Sequence, residues 1–157
     1  MIRPGTPEDA EAVARVQIAS WRSAYAHLFS QEQLAGISLA ERTENWRRWP
    51  PLVADVDGDV VGFISVGPAH DADAESEVWA IYVRPDRWGN RIGRALMSAG
   101  EAKLRELGYT RAVLWVFEDN PRARRFYEAA GWRTDGKRQN AELFGMSAPA
   151  IRYAKQL

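Results

Sequence analysis

The stretch Tyr82-Val83-Arg84-Pro85-Asp86-Arg87-Trp88-Gly89-Asn90-Arg91-Ile92-Gly93-Arg94-Ala95-Leu96 carries the most chemical information in the sequence. It reads as a strand end, a glycine-bearing loop and a helix start. Glycines let a backbone approach a bound group closely, and the first turn of a helix offers unpaired N–H groups and the positive end of a dipole, roughly half a unit charge. Together these features suit a diphosphate. The segment lacks the third glycine of a dinucleotide fingerprint and the Gly-Lys-Ser/Thr of a P-loop, which weakens both nucleotide readings. On spacing alone, a plain strand-to-helix turn with glycines kept for packing explains it equally well.

Other side chains have chemistry to offer, each with a plainer account beside it. Tyr127 follows Phe126 on a helical stretch, where aromatic pairs are usually core. Asn120 before Pro121 is a natural N-cap. Glu77 closes an acidic run with Asp71, Asp73 and Glu75, which reads as a solvated loop or as an attraction for a cationic substrate. Arg122, Arg124 and Arg125 either meet phosphates or form a solvated helix face. His27 and His70 have no visible partners, and a lone histidine is more often structural or exposed than catalytic, so neither is assigned a role.

Composition removes several classes of function. The 157 residues balance 21 Lys and Arg against 21 Asp and Glu, leaving no net field to hold a nucleic acid or an anionic membrane. There is no Cys, which removes disulfides, thiolate nucleophiles and Cys-based zinc sites; two His are too few for a convincing metal cluster, so no metal is expected. The N-terminus turns polar at once, and no apolar run approaches the roughly 18 to 20 residues of a membrane span. A cytoplasmic protein of one domain, residues 1–157, is the simplest expectation.

The elements that must position these residues follow from caps, periodicity and turns. Thr6, Pro7 and Asp9 resemble a capping box opening a first helix, on which Ala14, Ile18, Trp21, Tyr25 and Leu28 share one face. Ser38 with Glu41 caps a second helical stretch that stops before Pro50 and Pro51. Residues 52–55 and 59–66 flank Asp57-Gly58, a tight hairpin signal. A third strand, residues 77–83, precedes a helix over residues 91–107 closed by Gly108. The apolar strand 112–117 then completes a βαβ unit, which demands a parallel pair. A helix opened by Asn120-Pro121 and closed by Gly131 leaves a tail able to supply two more strands. The expected fold class is therefore α/β: a mixed twisted sheet, antiparallel at its N-terminal strands and parallel at a central pair, flanked by helices.

The loop segment, followed after the next strand by Asp119-Asn120-Pro121-Arg122-Ala123-Arg124-Arg125-Phe126-Tyr127-Glu128-Ala129-Ala130-Gly131-Trp132, closely resembles the GCN5-related N-acetyltransferase (GNAT) superfamily in the order and spacing of both blocks. The likeness extends over nearly the whole chain, and it is specific for fold and acyl donor but weak for the acceptor.

That resemblance implies a splay between the strand ending at Val83 and the strand beginning near Ala112, with the donor's pantetheine arm on backbone groups of Ile81 and Val83. It implies a pyrophosphate loop over Trp88, Gly89, Asn90, Arg91, Ile92, Gly93 and Arg94, and a place for Asn120 near the donor arm. Arg91 stands where the family usually has a further glycine. At negative φ that replacement costs little, and the guanidinium can either pair with a phosphate or obstruct the cradle. Tyr127 matches the family's general acid, a phenol with a reference pKa of ~10 able to protonate a leaving thiolate whose conjugate acid is near ~8.5. Glu77 matches the position from which an amine is often deprotonated through water. Trp21 and Tyr25, on their shared helical face, fall where an acceptor is bound. The implied activity is transfer of an acyl group, acetyl by family frequency, from acetyl-CoA to a primary amine of a small molecule or peptide, by direct attack and without metal. A homodimer is left open. The alternative is a non-catalytic acyl-CoA-binding sensor or interaction module of the same fold, for which Arg91 is the best argument.

Overall fold

The computed structural model describes residues 1–157. Strand β1 (Ile2–Pro4) leads into a 3-10 turn (Pro7–Asp9) and helix α1 (Ala10–Ala24), followed by the short α2 (Gln31–Ala35) and α3 (Leu39–Arg48). Strands β2 (Leu52–Val56), β3 (Asp59–Pro68) and β4 (Ser76–Val83) come next, then a second 3-10 turn (Pro85–Arg87) and α4 (Ile92–Glu106). Strand β5 (Arg111–Phe117), α5 (Pro121–Ala129), β6 (Arg133–Leu143) and β7 (Met146–Gln156) complete the chain. No helix is long and apolar enough to cross a membrane.

The local signals explain most boundaries. Thr6 and Asp9 form the reciprocal capping box, with Pro7 at the first helical position. Ser38 Oγ accepts from the Glu41 N–H at 3.1 Å and starts α3. Asp57 and Gly58 sit at φ 53° and 86°, the left-handed pair that a tight hairpin between twisted strands requires. Two elements are not among those expected from the sequence: β1, which exists because it pairs with β2, and α2, a single turn that Ser30 and Gln33 cap reciprocally, the Gln33 N–H donating to Ser30 Oγ at 3.1 Å and the Ser30 N–H to Gln33 Oε1 at 2.9 Å.

The seven strands lie in the order β1-β2-β3-β4-β5-β7-β6. Every neighbouring pair is antiparallel except β4 and β5, as a βαβ crossover demands. Helices α1 to α3 cover one face, packing Val13, Val16 and Trp46 on Val53 and Phe63, and Trp21, Phe29 and Leu34 on Phe117, Met146 and Ala150. Helices α4 and α5 cover the other, with Leu96, Met97 and Leu104 against Ile64, Val78 and Leu114. Each such side chain, fully buried, contributes about 1.5–3 kcal/mol.

The central parallel pair is very short. Only Ser76 with Ala112 and Glu77 with Val113 are in register; beyond them β4 and β5 separate. The separation follows a bulge: Ala80 pairs with Ser65 but Val78 with Val66, so Trp79 is an extra residue on β4. A bulge bends its strand and changes which side chains face which way. Val78, Ile81 and Val83 accordingly pack toward the α4 face, and Ala80 and Tyr82 toward α1. The Trp79 indole lies so close over Gly67 that a Cβ there would fall 2.5 Å from its ring, and its Nε1 donates to the Pro68 carbonyl at 2.9 Å.

Candidate active site

The opening between β4 and β5 is a cavity of about 720 Å³, closed at one end by the two paired residues and open toward the starts of α4 and α5. Its walls gather Trp21, Tyr25, Ile81, Val83, Trp88, Gly89, Arg91, Ile92, Gly93, Arg94, Asn120 and Tyr127, twelve of the fourteen residues singled out from the sequence. The other two, Asn90 and Glu77, do not line it. Asn90 is exposed on the loop, and Glu77 is buried beside the closed end, where its Oε1 accepts from the His70 backbone N–H at 3.0 Å.

Backbone geometry sets what the β4 wall offers. The Arg84 N–H donates to the Val61 carbonyl at 2.8 Å, so Arg84 and Val61 form a hydrogen-bonded antiparallel pair. By alternation, Val83 and Ile81 turn their N–H and C=O groups away from β3 and into the gap. The Val83 carbonyl is already taken: it accepts from Ser20 Oγ at 3.0 Å and from Trp88 Nε1 at 2.7 Å, which fills both lone pairs. The expected use of Val83 is thereby narrowed to its N–H, while Ile81 keeps both groups.

Helix α4 starts with no side-chain cap and no acidic residue in its first turn. Its first ladder bond runs from Ala95 N–H to the Arg91 carbonyl, leaving the N–H groups of Ile92, Gly93 and Arg94 without partners inside the helix. The condition under which Arg91 would cost little, a negative φ, is not met: Arg91 is the N-cap at φ 61° and ψ 10°, the left-handed region where glycine is favoured. A side chain held there costs about 1–2 kcal/mol, and nothing in the chain pairs with its guanidinium to offset it. Gly93 is needed for space instead, since a Cβ would stand 3.1 Å from the Phe126 ring.

Five arginines line the cavity, Arg87, Arg91, Arg94, Arg122 and Arg125, and no aspartate or glutamate does. None of the five forms an ion pair. Arg122 lies 3.5 Å over the Trp88 ring, fixing both side chains at the mouth. Arg124, the remaining member of that run, is used structurally and donates to Tyr153 Oη at 3.1 Å. This surplus of positive charge on a chain of zero net charge fits a ligand with several negative charges, and the uncapped helix start fits a diphosphate in particular.

The acidic run does the reverse of attracting a ligand. Asp71 and Asp73 both hold Arg152 on β7, at 3.1 and 2.7 Å, and Glu75 accepts from the N–H groups of Thr110 and Arg111. These carboxylates pin the closed end of the gap and are spent there.

Tyr127 is buried at 9% exposure yet reaches the cavity. Burial pushes its phenol above the ordinary tyrosine range, and Tyr25 and Tyr153 push it further, so it is held in the protonated form. Asn120 caps α5 through the Ala123 N–H at 3.1 Å and donates from Nδ2 to Tyr25 Oη at 3.0 Å, which ties the end of α1 to the start of the helix carrying Tyr127. Burial also raises the Tyr25 phenol, with Asn120 opposing. Trp21 donates to Tyr82 Oη at 2.8 Å and packs on Tyr25 and Phe117. Trp21 and Tyr25 are thus core residues whose edges face the cavity. No group of three or more His, Asp or Glu side chains is placed to hold a metal ion.

A model of the acetyltransferase (GNAT) family matches residues 11–132. An uncharacterized N-acetyltransferase of Bacillus subtilis, YuaI, is 30% identical over 126 residues, 76% of this chain and 73% of that protein. A mycothiol acetyltransferase of Sanguibacter keddieii is 36% identical over 124 residues, 73% of this chain; the chain spans only 39% of that longer relative. Among solved structures, a GCN5-related N-acetyltransferase from Rhodopseudomonas palustris superposes with a TM-score of 0.81 at 26% identity, covering 100% of this chain and 95% of that one. The PaiA N-acetyltransferase of Thermoplasma acidophilum, solved in complex with coenzyme A, shares the fold with a TM-score of 0.79 at 21% identity, covering 100% and 98%. With a splayed parallel pair, an uncapped helix start and these relatives, the chain belongs to the GNAT family of acetyltransferases.

Proposed function

We propose that this protein transfers an acyl group, acetyl by preference, from acyl-coenzyme A to a primary amine by direct attack while both substrates are bound. The observation that carries the reading is one cavity whose lining combines two chemistries. Unpartnered N–H groups of α4 and five unpaired arginines suit the coenzyme's phosphates. The same lining includes a buried phenol, Tyr127.

The donor supplies an activated thioester; the residues of the chain do the rest. Ile81 and Val83 hold the extended arm through gap-facing backbone groups, and the Val83 N–H is free to steady the carbonyl oxygen as negative charge builds on it. Tyr127 donates its phenolic proton to the departing sulfur. A phenol weakened by burial remains a suitable acid there, because burial raises the leaving thiol by the same mechanism. Trp21 and Tyr25 edge the acceptor end, and Asn120 holds Tyr25 in place. Glu77, which matches the family's base, lies outside the cavity wall and could serve the amine only indirectly, through bound water. The acceptor is a small-molecule or peptide amine.

The test is acetyl-CoA consumption across a library of primary amines, followed as free thiol. Tyr127→Phe is expected to lower turnover roughly ten- to a thousandfold with donor affinity near that of the wild type. An unchanged rate removes the general-acid assignment.

A further inference from the structure

We propose that His27 is the group that takes the proton from the acceptor amine, with Asp119 as its orienting partner. The assignment rests on the acyl-transfer reading above and supplies what that reading lacks, a proton acceptor in the cavity itself. The cavity lining contains no carboxylate; its ionisable groups are three tyrosines, five arginines and His27. Tyrosine and arginine side chains hold their protons through neutrality, whereas histidine is the side-chain type that exchanges one there. Glu77 has a side chain only 10% exposed, engages His70 beside the closed end of the gap and does not line the cavity.

The hydrogen bonds of His27 also fix its working nitrogen. Nε2 lies 2.9 Å from the Asp119 backbone oxygen, and a carbonyl only accepts, so Nε2 carries the hydrogen. In the neutral ring this leaves Nδ1 with a lone pair and no partner in the chain. The Asp119 carboxylate stands 3.4 Å from the same nitrogen, with the two side chains 50% and 65% exposed, so its part is to orient the ring. The same stretch of chain is already aligned with the acid: Asn120, next to Asp119, bonds to Tyr25 and caps the helix that carries Tyr127. His27 follows Tyr25 by two residues and lines the same cavity as Tyr127.

The proton account balances. An alkylammonium gives one proton to His27 Nδ1, and the free amine forms the N–C bond as the C–S bond breaks. Tyr127 protonates the sulfur, the nitrogen's second proton restores the phenol, and the imidazolium returns its proton to solvent. One thiol, one amide and one released proton result.

The experiment measures kcat and KM for each amine of a panel that the wild-type chain acetylates, including phenethylamine and phenylalaninamide, which share an aromatic body. Their amines differ in basicity, near ~10 for an alkyl amine and near ~8 for an α-amine. His27→Gln is expected to lower kcat about a hundredfold or more with the more basic amines, to lose less with the less basic ones, and to bind acetyl-CoA by calorimetry as the wild type does. Asp119→Asn is expected to show a smaller defect with the same dependence on amine basicity. A kcat in His27→Gln within a few fold of wild type, or a defect independent of amine basicity, overturns the assignment. Failure of the wild-type chain to bind acetyl-CoA would instead overturn the acyl-transfer reading beneath it.

Discussion

Helices α3 and α4 begin in opposite ways. Ser38 closes the start of α3 from within, accepting from the Glu41 N–H, and Glu41 adds an acid to the first turn. At α4 there is no side-chain cap and no acid; the first turn carries Arg94, and the N-cap is an arginine in a strained conformation. The arginines divide along the same line. Arg3 and Arg152 sit among carboxylates, while the five at the cavity have none. A helix start that folding would favour closing has been left open, and the natural reading of such a deficit is an anion supplied from outside.

The contrast is most directly broken by giving α4 what α3 has. Arg94→Glu places an acid in the first turn, and acetyl-CoA affinity measured by calorimetry is expected to fall by roughly a hundredfold, as for loss of a charge-assisted bond and gain of repulsion. Ser38→Ala, the matching cut at α3, should cost about 1 kcal/mol in denaturant unfolding and leave donor affinity unchanged. If both variants affected only stability, the two helix starts would be equivalent after all.

The second effect separates the arginines by pH. Hydrogen bonding to Arg3 holds the Asp9 carboxyl down at about 2, and Asp73 is held low by Arg152. A carboxyl whose folded value lies below its unfolded one stabilises the fold at higher pH and loses that contribution as pH falls through both. Stability should therefore decline between about pH 4 and pH 2, and Asp9→Asn should flatten that decline in urea titrations. The cavity arginines have no carboxylates to lose and should add nothing to it.

The smallest effect concerns Arg91. Replacing it with glycine removes the left-handed strain, and the expected gain is about 0.5–1 kcal/mol by thermal unfolding. A loss would mean that Arg91 makes a compensating contact.

How far the sequence carries the reader depends on whether the signal is local. The hairpin at Asp57-Gly58, the caps at Ser38 and Asn120 and the glycines closing α4 and α5 are legible because a few neighbouring residues fix φ, or fill a hydrogen bond, by themselves. The bulge at Trp79 is not: simple alternation from Glu77 to Val83 would put Val78, Ala80 and Tyr82 on one face, and only pairing with β3 reveals the extra residue. The acidic run misleads for the same reason. Asp71 and Asp73 are neutralised by Arg152, 81 and 79 residues away, and no local pattern announces that. For the site, the loop and Tyr127 could be placed by motif, whereas His27 could not. Its claim arises from what the cavity lacks, which is visible only when all the walls are known.

A strand that stops pairing after two residues leaves its sheet unfinished. When the cavity holds no substrate, Ile81 is paired with β3 on one side and has no strand on the β5 side, and an extended ligand lying along that edge would serve as the missing ladder. Its supply then governs the protein's own durability: a ligand at a hundred times its dissociation constant adds about 2.7 kcal/mol, a sizeable part of what keeps an ordinary domain folded. Scarcity of donor would slow the enzyme and also shorten its life.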